Sequence, residues 1–339
     1  MPRDGGGLPA GGPPFAVVRR LAPIERAPLV LAILGVLALA SALAFLTVGA
    51  RGSWSFVLTF RGGRLLALVL VAYCIAVSTV LFQTVTRNRI LTPAIMGFDA
   101  LYILVQTTVA FFFGAHVLGL ADPHLRFLGE TALMVGFSVL LFRWLFLGEE
   151  RSLHLLVLVG IVFGILFRSL STFLQRLLDP NAFQVLQDSL FASFGTVDTT
   201  LLGLSYALAA AATLVLWRLG PALDILALGR DHAINLGVEY GRTVLAILVV
   251  VSVLVAISTA LVGPVTFFGL LVASLAHALV GRSRHRDVLP AAVLLGVVAL
   301  VGGQLVLERV FRFDTALSVI VEFLGGIVFV ALVLRGGMR

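Results

Sequence analysis

Apolar residues run along this chain in long blocks separated by short polar punctuation. A hydrocarbon layer about 30 Å thick takes about 20 residues of α-helix to cross. Ten blocks reach roughly that length: residues 29–48, 65–86, 94–114, 127–147, 153–175, 200–217, 243–262, 265–280, 288–307 and 317–334. They lack the short alternating segments of a membrane β-barrel, so the pattern predicts an all-α membrane protein of about ten transmembrane helices. Pro93, Pro264 and Pro290 stand at or near block starts, where a missing N–H is harmless. Two block starts echo each other: RNRILTPAIMGFDAL (87–101) and ALVGPVTFFGLLVAS (260–274) each place glycine within five residues after a proline, then an apolar helix. Such echoes are a mark of internally repeated transporters.

The polar interval between the sixth and seventh blocks is the longest inside the second half, DILALGRDHAINLGVEYGRT (224–243). Gly229 and Gly237 bracket Arg230–Leu236, Asp231 falls in the first turn, and Gly237 sits where a helix ends on a left-handed residue. The spacing predicts a helix of about two turns, too short to stand alone. Leu228, Gly229, Arg230, Asp231, Ala233, Leu236 and Gly237 therefore form an element that must pack against something. Periodicity leaves two readings open, a helix lying among lipid headgroups and a docking surface for a partner protein.

Composition narrows the class. Of 339 residues, 60% are hydrophobic and 12% charged, where soluble domains carry about 25% charged residues. Every basic residue is arginine. A nucleotide loop of the form GxxxxGK[ST] needs its lysine, so that site is excluded and no ATP or magnesium site is expected on this chain. The pI near 10.8 raises nucleic acid, but the arginines scatter over loops instead of sharing one face. With the N-terminus inside, cytoplasmic segments hold Arg3, Arg19, Arg20, Arg26, Arg87, Arg89, Arg151, Arg218, Arg230, Arg242, Arg282, Arg284, Arg286, Arg335 and Arg339. The outer loops then hold Arg51, Arg61, Arg64, Arg126, Arg176, Arg309 and Arg312. The positive-inside rule thus orients both termini to the cytoplasm, while leaving seven outer arginines to be explained.

Cys74, the one cysteine, is read as a small packing residue, which excludes internal disulfides and cysteine metal clusters. The six histidines show no metal-ligand spacing, so no metal site is expected. Arg143, Arg168, Glu308 and Glu322 lie in or near spans, and most of them are close enough to a span end to snorkel. No nucleophile–base pairing stands out, so no catalytic residue is expected. Residues 1–28 read as a flexible basic cytoplasmic tail without a compact apolar signal core, 29–335 as one polytopic unit with its main cytoplasmic loop at about 218–242, and 336–339 as a short cytoplasmic tail.

The stretch LALGRDHAINLGVEYGR resembles the cytoplasmic coupling loop of the iron-chelate (FecCD-type) permeases, the family that includes the vitamin B12 importer. FRGGRLLALVLVAYCIAVSTVLFQTVTRNRILTPAIMG (60–97) is similar to that family's second span and the turn after it, with Arg61, Arg64, Gln83, Asn88, Pro93 and Gly97 on matching positions and Arg89 where proline is usual. LVGPVTFFGLLVASLAHALVGRSRHRDVLP (261–290) resembles a later segment, with Ala273-Ser274 in place of a Pro-His pair and His277 in place of arginine. Order, spacing and span number agree over nearly the whole chain.

The resemblance implies a type II ABC importer permease architecture like that of the vitamin B12 importer, set in a bacterial inner or plasma membrane. ATP and magnesium would sit on separate ATPase subunits that meet the 224–238 loop. An extracytoplasmic substrate-binding protein would dock on the outer arginines Arg61, Arg64 and Arg309. Gln83, Asn88, Pro93 and Gly97 would lie near the translocation path. The departures, with LQDSLFASFGTVDTTLL (186–202) and TPAIMGFDALYILVQT (92–107), look like the branch carrying catecholate or petrobactin-like ferric siderophores, in which two different sibling permeases pair as a heterodimer. The outer arginines also suit plain anchoring of span ends at lipid headgroups. Alternative cargoes are haem and cobalamin. The rivals are an ion-coupled secondary transporter, which needs a buried mid-span carboxylate, and a scaffold or channel without energised transport.

Overall fold

The computed structural model describes residues 23–49, 53–114, 122–146, 153–190, 197–281 and 284–309, with 323, 326 and 327. Most of the N-terminal tail, most of the tenth predicted span and the C-terminal tail lie outside the described residues. The remaining nine predicted spans are all helical, and no strand occurs among the described residues. Among the described residues, seven helices are long and apolar enough to cross a membrane, and two more are shorter and apolar.

Several boundaries differ from the apolar blocks. After α1 (Pro23–Thr47), α2 runs from Trp54 to Thr86, eleven residues ahead of the block at 65. Arg61 and Arg64 therefore lie within a helix instead of before one. The third block is broken: a 3-10 turn, Pro93–Met96, ends on Gly97 before α3 (Phe98–Phe113) starts. The glycine at the break has a steric reason. Gly97 has φ +83°, and a Cβ there would sit 3.0 Å from the Cα and N of Gly164. Backbone meets backbone at that point, and neither can yield.

Helix α4 (Pro123–Phe146) and α5 (Leu153–Leu177) follow the pattern. A short helix, α6 (Pro180–Leu190), is absent from the expectations because it is too polar for a span. Its start is nonetheless written locally: the Asp179 carboxylate accepts from the N–H groups of Asn181 and Ala182, both at 3.0 Å, ahead of a first-turn proline. Helix α7 (Leu202–Leu226) continues past Pro221, so residues 218–226, expected in the loop, are helical. Leu223 and Leu226 are buried there, which holds the helix together beyond the lost N–H. The order closes with α8 (Arg230–Asn235), α9 (Tyr240–Val262), α10 (Phe268–Val280) and α11 (His285–Arg309).

Helices α2 and α9 pack side by side at the centre, with α1, α7, α10 and α11 around α2, α4 and α7 against α9, and α3 paired with α5. Both central helices are apolar on all faces, as burial on all sides requires. Cys74 is fully buried in α2. Lipid chains are as apolar as leucine, so close packing carries the association more than water exclusion does. Gly296 against Ala72 and Gly269 against Thr79 let α11 and α10 approach α2 closely. One buried ionic group occurs between α3 and α4: Glu130 accepts from Arg126 Nε (2.8 Å) and Gln106 Nε2 (2.6 Å).

The two echoing block starts come together in space. Thr92, Pro93 and Asp99 from the first, and Gly263, Thr266 and Gly269 from the second, line one small buried cavity of about 30 Å³. Thr266 Oγ1 donates to Asp99 Oδ2 across it at 3.4 Å. Each half of the chain thus contributes an interrupted helix start to the same interior point.

Candidate functional site

The loop between α7 and α9 is a built element. Helix α8 is six residues long and ends at Asn235 with Leu236 as its C-cap, one residue short of the expected helix. Beyond it, Gly237 N–H donates to Ile234 O and Val238 N–H to Ala233 O, both at 2.9 Å. Those are the paired bonds of a Schellman ending, and they require the φ of +83° that Gly237 adopts. The helix start, Gly229, is buried with the Arg87 guanidinium packed over it.

One small side chain fastens α8 to the body. Ala233 is 0% exposed and belongs to the main core. Its neighbours face outward: Leu228, Ile234 and Leu236 are 56%, 50% and 60% exposed, beside exposed Arg230, Asp231, His232 and Asn235. A two-turn helix held by one alanine, with three exposed large apolar side chains, presents a contact surface. Glu239 and Arg242 pair at 2.8 Å on its far side.

Behind this element lies a cavity of about 980 Å³. A three-residue chain of contacts closes its wall. Asp224 Oδ1 accepts from the His285 backbone N–H at 2.9 Å and lies 2.6 Å from its Nδ1. His285 Nε2 lies 2.6 Å from Thr84 Oγ1. This chain ties α7 to α11 and α2 just ahead of α8. Sequence reasoning did not find it, because Asp224 and His285 are 61 residues apart and neither carries a local motif.

The expected path residues separate into two places. Gln83 is 3% exposed, and its Nε2 donates to Arg89 O at 2.7 Å, so it stands at the cavity where α2 ends. Asn88 is exposed and its Oδ1 accepts from Ile90 N–H at 3.0 Å, folding the turn. Pro93 and Gly97 lie instead in the interior, near the small polar cavity and against α5.

The three outer arginines also divide. Arg61 Nη1 donates to Phe45 O (3.0 Å) and Val48 O (2.9 Å), and its Nη2 to Gly49 O (3.3 Å). Arg309 Nη2 donates to the same Val48 O. Two guanidiniums from α2 and α11 therefore cover the carbonyls that α1 leaves open at its C-terminus, where positive charge also meets the negative end of the helix dipole. Arg64 joins neither, lying over the Phe60 ring at 4.2 Å. The capping contacts of Arg61 and Arg309 lie at the exposed end of α1.

Comparison with known proteins agrees with this architecture. The chain is 46% identical over 284 residues to the petrobactin import system permease protein YclO of Bacillus subtilis (strain 168), covering 84% of this chain and 90% of that protein. It is 37% identical over 271 residues to the petrobactin import system permease protein FatC of Bacillus anthracis, covering 80% of this chain and 77% of that one. Among solved structures, an inward-facing metal-chelate-type ABC transporter superposes with a TM-score of 0.79 over 91% of this chain and 99% of the other, at 24% identity. A family model, the FecCD transport family, matches residues 27–335. With a match that takes in every described helix beyond the first turn of α1, the chain belongs to the FecCD transport family.

Proposed function

We propose that this chain is the membrane-spanning permease subunit of an ATP-driven importer of ferric siderophores, with a petrobactin-type chelate as its cargo, in a bacterial inner membrane. The observation that carries the reading is the similarity to YclO along 90% of that permease's length, on a fold whose longest structured loop ends in an exposed contact helix. Separate ATPase subunits engage α8 from the cytoplasm, where both termini lie, and hold the ATP and magnesium. Their closure moves α8, and α7 and α9 carry the displacement into the membrane. An extracytoplasmic binding protein delivers the chelate at the end where Arg61, Arg64 and Arg309 lie.

Arg168 supports a second membrane subunit. It is exposed on α5, between Leu166 and Leu170, which are exposed too. A charged side chain facing lipid at mid-helix costs about 2.5–3.5 kcal/mol or more. That favours α5 facing a sibling permease or the aqueous path between the two, and the departures at Ala273 and Ser274 favour a different sibling over a second copy. The chain performs no chemistry of its own.

Uptake of radioiron by iron-starved cells lacking this chain tests the reading, using ferric petrobactin, ferric enterobactin and ferric citrate in parallel. The expected result is loss of petrobactin uptake, restored by the wild-type chain and not by a Gly237→Pro variant that inserts normally. Proline cannot adopt φ +83° and removes the N–H bonded to Ile234 O. Unchanged uptake of every chelate would overturn the siderophore reading and turn the search to haem and cobalamin.

A further inference from the structure

The 980 Å³ cavity beside the coupling segment is strongly one-signed. Arg87 and Arg89 enter from the end of α2, Arg284 from the α10–α11 turn, and His285 and Arg286 from the start of α11. The one carboxylate in the lining, Asp224, is already engaged by His285 at two points. None of the four guanidiniums makes an ion pair among the described residues. Four arginines against one aspartate leave the wall about three charges positive before any histidine is counted.

The positive-inside rule explains why arginines sit on this side of the membrane. It does not explain why two segments nearly 200 residues apart aim them into one concavity. Guanidiniums so gathered repel one another and focus a positive potential within the cleft. The volume lies at the upper end of small-molecule sites, about 300–1,000 Å³.

We propose that this basic vestibule binds a phosphate-bearing anion. Paired planar forks match phosphate oxygens two at a time, and four of them suit a ligand with more than one negative charge. The bound anion would draw the ends of α2 and α7 and the α10–α11 turn into one unit. Ala227 and Leu228 line the same cavity immediately before Gly229, so occupancy would stiffen the root of α8. The site is thus a means by which phosphate chemistry on this face sets the mobility of the coupling element. It is argued without reference to the transported cargo and stands whether or not that cargo is a siderophore. Two sources share the chemistry, an anionic phospholipid headgroup and a soluble polyphosphate or nucleotide.

The test uses the full chain in nanodiscs of phosphatidylcholine, titrated with pyrophosphate by calorimetry. A second preparation containing phosphatidylglycerol is analysed by native mass spectrometry for retained lipid. The comparison is between wild type, the double variant Arg89→Gln/Arg284→Gln, and Arg242→Gln as a control outside the cavity. Both arginines of the double variant are exposed, so folding is expected to survive, and helical content is checked by circular dichroism. Pyrophosphate binding weakened about tenfold or more in the double variant and unchanged in the control supports the site with a soluble ligand. Phosphatidylglycerol retention lost only in the double variant supports it with a lipid ligand. Equal behaviour of all three proteins toward both probes overturns the proposal. So does the absence of phosphate binding together with loss of ATPase association in the double variant, which would assign the arginines to an acidic protein contact.

Discussion

Gly97→Ala is the sharpest perturbation this structure offers. At φ +83° any side chain costs about 1–2 kcal/mol. The added methyl would also stand 3.0 Å from the Cα and N of Gly164 and 3.4 Å from Gly160 O, all backbone atoms of α5. Forcing a methyl into such a contact costs typically about 1–3 kcal/mol, and the stiffer unfolded chain returns about 0.4–1 kcal/mol. The net expectation is a loss of about 2–4 kcal/mol. Gly164→Ala approaches the same contact from the other side, with its Cβ 3.3 Å from Gly97 Cα. It lies in a regular helix where alanine is favoured over glycine by about 1 kcal/mol, so its net effect should be under about 1 kcal/mol on the same reasoning. The assay is unfolding of the purified chains in mixed micelles titrated with sodium dodecyl sulfate, read by tryptophan fluorescence. A Gly97→Ala chain as stable as wild type, or a Gly164→Ala chain that loses more than Gly97→Ala, would refute the account of why glycine stands at that break.

Arg61→Ala should cost about 1–2 kcal/mol by uncapping the last carbonyls of α1, with Arg61→Lys restoring only part, since one ammonium cannot reach all three oxygens that Arg61 serves; equal stability of all three proteins in the same titration would argue against the capping role. Glu130→Ala should lose about 1.5–3 kcal/mol by removing the buried carboxylate that accepts from partly exposed Arg126 and from Gln106, whereas Glu130→Leu combined with Arg126→Met should recover most of it, and a double variant no better than the single one would count against the pairing.

The spans were legible because a run of apolar residues states its own length, and α5 and α9 begin and end close to the blocks that predict them. The α8 helix was legible for a different reason: two glycines and a first-turn aspartate are local signals, and the Schellman bonds are local too. What stayed hidden was tertiary. The helical start of α2 ahead of residue 65 brings Arg61 to carbonyls of α1, and nothing in the stretch SWSFVLTF announces that contact. The need for glycine at the break comes in part from Gly164, 67 residues on. Asp224 and His285 read separately as loop polar residues, and only folding joins them to Thr84. The repeated Pro–Gly turns gave a partial hint, since they predicted a relation between two segments without predicting that both line one cavity.

Helix α9 begins beside the Schellman turn that closes α8 and ends at Gly263, on the edge of the small polar cavity shared with Asp99. Its 23 residues make a rod about 34 Å long at 1.5 Å per residue. Under the coupling role proposed for α8, a push at the surface element would reach the interior along this one helix, used as a lever. Such a lever transmits tilt in proportion to its length and is insensitive to the identity of residues along its shaft, provided they pack. Its sensitivity lies at the two ends, where glycines at Gly237 and Gly263 set the angles of entry and exit. An engineer wishing to retune the machine would leave the middle of this helix alone and work at its bearings.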